Sequence, residues 1–168
     1  VPVKPGDRVK TDRRDAITLA RGYRAGDLTP VWVPDAAHEA LRDLVRAREA
    51  AKKDQLRARH RLGKFLLRHG RRPSARMTPW TQRHLTWINQ VVRFEQPAQE
   101  ATLLDYLHEV EHAATRLERL ERAIDDAIVG APARMRAVID ALQALRGIAK
   151  ISAVTIAAEV GELSRFAR

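Results

Sequence analysis

From Asp35 to His69 the chain runs 35 residues without a proline, and Gly70 stands just past the end. At 1.5 Å per residue a helix of that length would be roughly 50 Å long. On a seven-residue repeat its inward positions are Leu41, Leu44, Arg48, Ala51, Gln55, Ala58, Leu62 and Phe65. The ends of that seam are apolar and its middle is small or polar, too thin for the helix of a globular core. A second pattern follows Pro97, over about 98–128. Leu103, Leu107, Val110, Ala114, Leu117, Ile124 and Ile128 keep a 4-3 spacing there, broken only by Glu121. Neither pattern buries enough to be stable alone, so each needs the other or a second chain. The economical arrangement is an antiparallel helical hairpin, a coiled-coil arm over residues 34–130 with a short helix inserted at about 79–90. The expected fold class is all-α.

The two halves of this arm differ in sign. Between Arg42 and Arg72, 12 Lys/Arg stand against Asp43, Glu49 and Asp54, a net of +9. Between Ala98 and Val129, eight acids stand against Arg116, Arg119 and Arg122, a net of −5. Opposite signs favour pairing of the two helices. The whole chain nevertheless carries +10, and its pI near 10.9 makes a polyanion the default partner. The acidic helix answers part of the excess. Arg57, Arg59, Arg61, Lys64, Arg68, Arg71 and Arg72 remain as candidates for phosphate contact, which is independent of sequence and steep in salt. The competing reading is a solvated coiled-coil face, although such faces normally carry both signs.

The chain has no cysteine, which excludes disulfides and thiolate metal sites and points to a reducing compartment. With no apolar run near 18 residues and no signal-like start, a soluble intracellular protein is expected. The sequence opens on Val and stops at ELSRFAR without a cap or tail, so a segment of a longer protein is expected.

The flanks read as short helices. Residues 11–25 carry Thr11 or Asp12 as a cap, Ile17, Leu19, Ala20 and Tyr23 as apolar positions, and Gly26 as the stop. TPVWVP then suggests a short strand near 31–33 or an extended linker. In the excursion between the long helices, Thr78 would cap a helix starting at Pro79. Trp80 and Trp87 share a face there with His84 and Ile88, placed to stack bases or, more simply, to pack the hairpin tip. Residues 131–168 hold a helix running to Gly147 and another to Gly161.

Three motifs bear on chemistry. HEVEH, His108 to His112, has the spacing of a zinc protease motif. The heptad turns both imidazoles toward solvent, where neither a third ligand nor a cleft is supplied, so we read it as coincidental. ALRGIAKISAVTIAAEVG resembles a helix-hairpin-helix DNA-binding element. Gly147 and Ile148 match its turn, Ala149 replaces its usual second Gly, and Lys150 lies near the helix start that would meet a phosphate. An ordinary hairpin capped by Gly147 accounts for the same residues. In KTDRRDA, Asp12 and Asp15 share one helix face, with Lys10, Arg13 and Arg14 around them. Two carboxylates so placed suit a hard cation such as Mg2+, with the basic residues turned to a polyanion. They also suit the positive end of a helix dipole, and spacing alone favours that reading.

Taken together, VPVKPGDRVKTDRRDAITLARGYRAGDLTPVWVPD, HEALRDLVRAREAAKKDQLRARHRLGKFLLRHG and LRGIAKISAVTIAAEVGELSRFA strongly resemble bacterial insertion-sequence transposases of the DEDD/serine type, the bridge-RNA-guided recombinases. The resemblance covers nearly the whole chain, and KTDRRDA and LTPVWVPD are its most specific parts. It implies that residues 1–33 are the end of a RuvC-like nuclease domain, 34–130 a dimerising coiled coil, and 131–168 the start of a C-terminal transposase domain. Asp12 and Asp15 would be the last two of four acidic Mg2+ ligands. The family's first Asp, its Glu and its nucleophilic Ser have no counterpart here, since Ser152 and Ser164 lie too early. A fragment inactive alone is therefore expected, with DNA, a guide RNA and a second copy of the chain as partners in the cytoplasm, at the nucleoid. The rival readings are a nucleic-acid-binding coiled coil without chemistry and a structural coiled coil that binds no nucleic acid.

Overall fold

The computed structural model describes residues 11–28, 31–73, 76–161 and 163–166. Among them are six α-helices: α1 Asp12–Ala25, α2 Ala36–Arg68, α3 Gln82–Val91, α4 Pro97–Gly130, α5 Ala133–Gln143 and α6 Lys150–Val160, followed by a 3-10 turn at Leu163–Phe166. No described residue lies in a strand, and Val31–Val33 is irregular, so the expected all-α class holds without the short strand. Two compact units divide the chain, Val1–Val33 and Pro34–Arg168.

The first unit holds α1. Thr11 caps it, accepting the Arg14 N–H on Oγ1 at 3.4 Å and on its carbonyl at 3.0 Å. Gly26 ends it at φ 74°, as a left-handed residue that glycine enters without a Cβ clash. No α1 residue is buried, and Ile17, Leu19 and Tyr23 are all exposed.

The second unit is built on α2 and α4. Three contacts fix their direction: Arg48 meets Glu121, Asp54 meets Arg116, and Phe65 meets Tyr106. Numbers rise along one helix as they fall along the other, so the pair is the antiparallel hairpin expected from the charge and heptad pattern. Asp35 caps α2 by accepting the His38 N–H at 2.9 Å, and Pro97 takes the first position of α4.

Six of the eight expected inward residues of α2 are buried. Leu44 is only half-buried because Val45 takes the inner place, and Arg48 is half-buried for a reason of its own. Arg48 Nε and Nη2 both donate to Glu121 Oε1, at 3.0 and 2.5 Å. The polar fault in the α2 seam thus faces the polar fault in the α4 seam. On α4, Ala113 is the buried alanine and Ala114 lies half-exposed beside it.

Apolar packing is concentrated at the two ends of this arm. Near its base, Leu41, Val45 and Ile124 pack with Met135 and Ile139 of α5 and with Ala153, Val154, Ala157 and Ala158 of α6. At the tip, Ala58, Leu62, Phe65 and Leu66 pack with Leu103, Leu107 and Val110, closed over by Ile88 and Val92. The small and polar middle expected of the seam holds Ala51, the buried Gln55 and Asp54 bound to Arg116.

The excursion starts later than Thr78 and Pro79 suggest. Trp80 sits at φ 64°, and a non-glycine residue there cannot continue a right-handed helix. Thr81 therefore becomes the cap, accepting the His84 N–H at 3.4 Å. The turn lays the Trp80 ring beside Gly63, where a Cβ would lie 3.8 Å from it. This packing offsets the strain of the left-handed residue. At the other end of the unit, α5 stops at Gln143 and not at Gly147, which lies in the connecting turn at φ 90°.

Candidate functional site

Asp12 and Asp15 occupy the first turn of α1, where the Thr11 cap fixes the helix start. Asp12 is exposed and Asp15 half-exposed, one turn apart, with Arg13 and Arg14 exposed between them. Lys10 lies outside the described residues. Among the described residues no group of three or more His, Cys, Asp or Glu stands close enough to hold a metal ion. The donor chemistry of the two carboxylates fits Mg2+, but they supply only part of its oxygen shell.

The cations of α2 and of the turn that follows it fall into two groups. In the half nearest the base, Arg42 bonds Glu39 at 2.9 Å, Arg46 bonds Glu159 at 2.7 Å, Arg48 bonds Glu121, Lys53 meets Glu49 at 3.6 Å and Arg57 bonds Asp54 at 3.2 Å. The Glu159 carboxyl is held below its ordinary 4.5 chiefly by the Arg46 hydrogen bond. Arg57, expected to be left for phosphate, thus shares a carboxylate that Arg116 also contacts at 2.9 Å. Further along, Arg59, Arg61, Lys64, Arg68, Arg71 and Arg72 have no carboxylate partner among the described residues. All but the half-buried Arg59 are exposed.

Aromatic rings take the place of carboxylates at this end. The Arg59 guanidinium lies 5.5 Å from the Trp80 ring centroid, Arg68 lies 5.8 Å from Phe65, and Arg71 lies 5.0 Å from Phe94. Stacking of this kind holds a guanidinium in place without neutralising it, leaving its in-plane N–H groups for an anion. Trp80 and Trp87 flank His84, with ring centroids 5.6 and 5.7 Å away. Burial holds His84 below its ordinary 6.5, and its Nδ1 accepts the Trp80 N–H at 3.3 Å. These tryptophans therefore pack the tip, as the simpler reading had it, and still leave part of their surface open. Reading the sequence helix by helix passed over Arg76, Arg83 and Arg93, which are exposed on the same excursion. Their spacing about a proline-bearing connection was the available signal.

The other motifs are placed plainly. His108 and His112 are both exposed on α4, as the heptad required. Gly147 stands in the α5–α6 turn as the helix-hairpin-helix pattern needs. Lys150, though, bonds Asp125 at 2.5 Å in a groove that also presents Glu118 and Glu121. A phosphate at this turn would have to displace Asp125 from Lys150.

An exposed row of unneutralised guanidinium and ammonium groups, steadied by aromatic rings, is the kind of surface that phosphate-binding proteins present. Residues 4–70 match the model of the DEDD transposase family of IS110 type, described as a transposase. The chain is 45% identical over 166 residues to y4qE of Sinorhizobium fredii, a protein named as a transposase, covering 99% of this chain and 38% of that one. It is 31% identical over 163 residues to the transposase for insertion sequence element IS1533 of Leptospira borgpetersenii, covering 96% of this chain and 46% of that one. No solved structure matches. The chain is thus similar to bacterial transposases along almost its whole length and spans less than half the length of these curated relatives. No helix among the described residues is long and apolar enough to cross a membrane.

Proposed function

We propose that this chain is part of a transposase that cuts and rejoins DNA to move an insertion sequence, and that its helical arm grips nucleic acid by the phosphate backbone. The observation that carries the grip is the run of six cations, Arg59 to Arg72, without a carboxylate partner among the described residues. The acids α4 carries along the same stretch, Asp105, Glu109 and Glu111, are exposed and pair with no cation of α2 among the described residues. Phosphates would complete the neutralisation that α4 leaves undone. DNA and a guide RNA are the partners this reading supplies, in the cytoplasm at the bacterial nucleoid. Self-association through the arm would place two such surfaces on one assembly.

Asp12 and Asp15 would hold Mg2+ together with carboxylates from elsewhere, and the metal would neutralise charge during phosphoryl transfer when bound. What the chain itself contributes is a capped helix end that presents both acids on one face, with Arg13 and Arg14 beside them to meet the DNA backbone. Two carboxylates alone bind Mg2+ weakly, so this chain by itself performs no strand cleavage. The direct test of the grip is the affinity for a duplex and for a single strand over a salt series. Binding that weakens steeply with salt, and weakens further in Arg61→Gln/Lys64→Gln, supports the reading. Equal affinity of parent and variant at every salt concentration rejects it.

A further inference from the structure

At the tip, the end of α2 and the end of α3 enclose a pocket of about 330 Å³ lined by Gly70, Arg71, Arg72, Trp87, Val92 and Arg93. That volume lies at the small end of the range for ligand pockets, roughly 300–1,000 Å³. Two of its backbone N–H groups are already bonded. Gly70, at φ 64°, donates its N–H to the Leu67 carbonyl at 3.0 Å, and Arg71 donates to Leu66 at 2.9 Å. This is the paired closure of a Schellman turn, and it throws Arg71 and Arg72 clear of the helix end. Across the pocket, Arg93 Nη1 donates to the carbonyls of Asn89 at 2.9 Å and Val92 at 2.6 Å, which closes α3.

Helix capping accounts for Arg93, and stacking on Phe94 accounts for the position of Arg71. Neither accounts for Arg72, which is exposed and has no carboxylate partner among the described residues. Nor do they account for three arginines and an indole lining one pocket with no acid among them. A flat aromatic wall, an apolar floor and unneutralised cations at the rim suit a ligand that is planar at one end and anionic at the other.

We propose that this pocket takes an unpaired nucleotide of a single-stranded nucleic acid, with its base against Trp87 and its flanking phosphates on Arg71 and Arg72. The proposal rests on the nucleic-acid reading of the arm and adds a preference to it. A base inside a duplex is already stacked on its neighbours and cannot reach Trp87, whereas an unpaired base can. Base contact then adds to backbone contact, and only for a single strand.

The test uses fluorescence anisotropy on the 168-residue chain with labelled 12-nucleotide RNA and DNA strands. Each strand is compared with its duplex and with the same strand carrying abasic sites at its centre. The expected result is that an intact single strand binds about tenfold more tightly than its abasic counterpart, the scale of one stacked base. Trp87→Leu should reduce the intact strand to the abasic level, and Arg72→Gln should weaken it severalfold. The RNA and DNA arms identify which strand gains. Equal binding of intact and abasic strands in both arms overturns the pocket, and this comparison needs no variant that has to fold. If Arg61→Gln/Lys64→Gln lowers every affinity while intact and abasic strands bind alike, the pocket fails and the backbone grip stands. If that variant lowers none, the grip itself fails.

Discussion

The basic stretch of α2 and the turn after it carries six cations in each half, Arg42 to Arg57 and Arg59 to Arg72, but its three acids, Asp43, Glu49 and Asp54, all lie in the first. From Arg42 to Arg57 five of the six cations meet carboxylates on α2 itself, on α4 and on α6, and Lys52 meets the Gln55 amide oxygen at 3.4 Å. From Arg59 to Arg72 they meet rings or nothing charged. Local composition accounts for part of the difference, since Glu39, Glu49 and Asp54 of α2 itself meet Arg42, Lys53 and Arg57. The neighbouring helices supply the rest, through Glu121 and Glu159. Midway along the arm, Glu121 and the Asp54–Arg116 pair lie in or beside the seam, half-buried, so their attraction is less screened than that of a surface pair. Toward the tip, Asp105, Glu109 and Glu111 of α4 are exposed, and Glu100 accepts the Phe94 N–H at 2.8 Å.

Removing tip packing is expected to have the largest effect. Leu62 is wholly buried, and Leu62→Ala should cost about 3 kcal/mol in urea unfolding, within the usual range for a core leucine. If the tip were only a loosely ordered excursion, the loss would be near zero. A smaller loss is expected midway along the arm. Glu121→Ala leaves a half-buried Arg48 unpaired and should cost about 1–2 kcal/mol, discounted from the fully buried case because both side chains touch solvent. Arg48→Leu/Glu121→Leu should recover that loss, since an apolar pair of similar size has no charge to desolvate. A double variant less stable than Glu121→Ala would show that the pair is worth more than its geometry implies.

The contrast between halves is most directly broken by charge. Arg61→Gln/Lys64→Gln should lower the slope of log affinity against log salt by about 1.8 for duplex DNA. Arg46→Gln/Lys53→Gln, at the paired end, should change it much less. Equal changes would mean that the ion pairs do not set the difference. The smallest effect concerns pH. Glu159 is depressed in the folded chain, so it stabilises above its ordinary 4.5, and that contribution is lost as pH falls through the folded value. Glu159→Gln should flatten thermal stability between about pH 5 and 3, while Asp35, depressed by the His38 backbone and ring bonds, acts in the same direction.

Much of this was legible beforehand because heptad spacing and charge act over long stretches. Six of eight inward α2 residues came from periodicity, and the antiparallel arm from periodicity together with the opposite charges of its halves. Arg48 and Glu121 stood out as separate flaws, and only three dimensions showed them to be partners. What stayed hidden was local or azimuthal. Thr78–Pro79 is a sound helix start in isolation, and it lost to Trp80, whose left-handed backbone serves packing on Gly63. Likewise, a net of −5 on α4 cannot say where on the helix circumference the acids lie. The metal role of Asp12 and Asp15 rests on resemblance, because two first-turn acids look the same whether they serve a cation or a helix dipole.

The meeting of Arg48 and Glu121 also sets a length. A coiled pair with a small, featureless middle could slide by a heptad with little loss, and the reach of its tip would vary accordingly. Here a slide of one step would strand both charges, so the joint is keyed. From Arg48 to the end of α2 is about 30 Å at 1.5 Å per residue. Whatever the tip holds is therefore kept at one distance from the α5–α6 base, and the arm acts as a ruler.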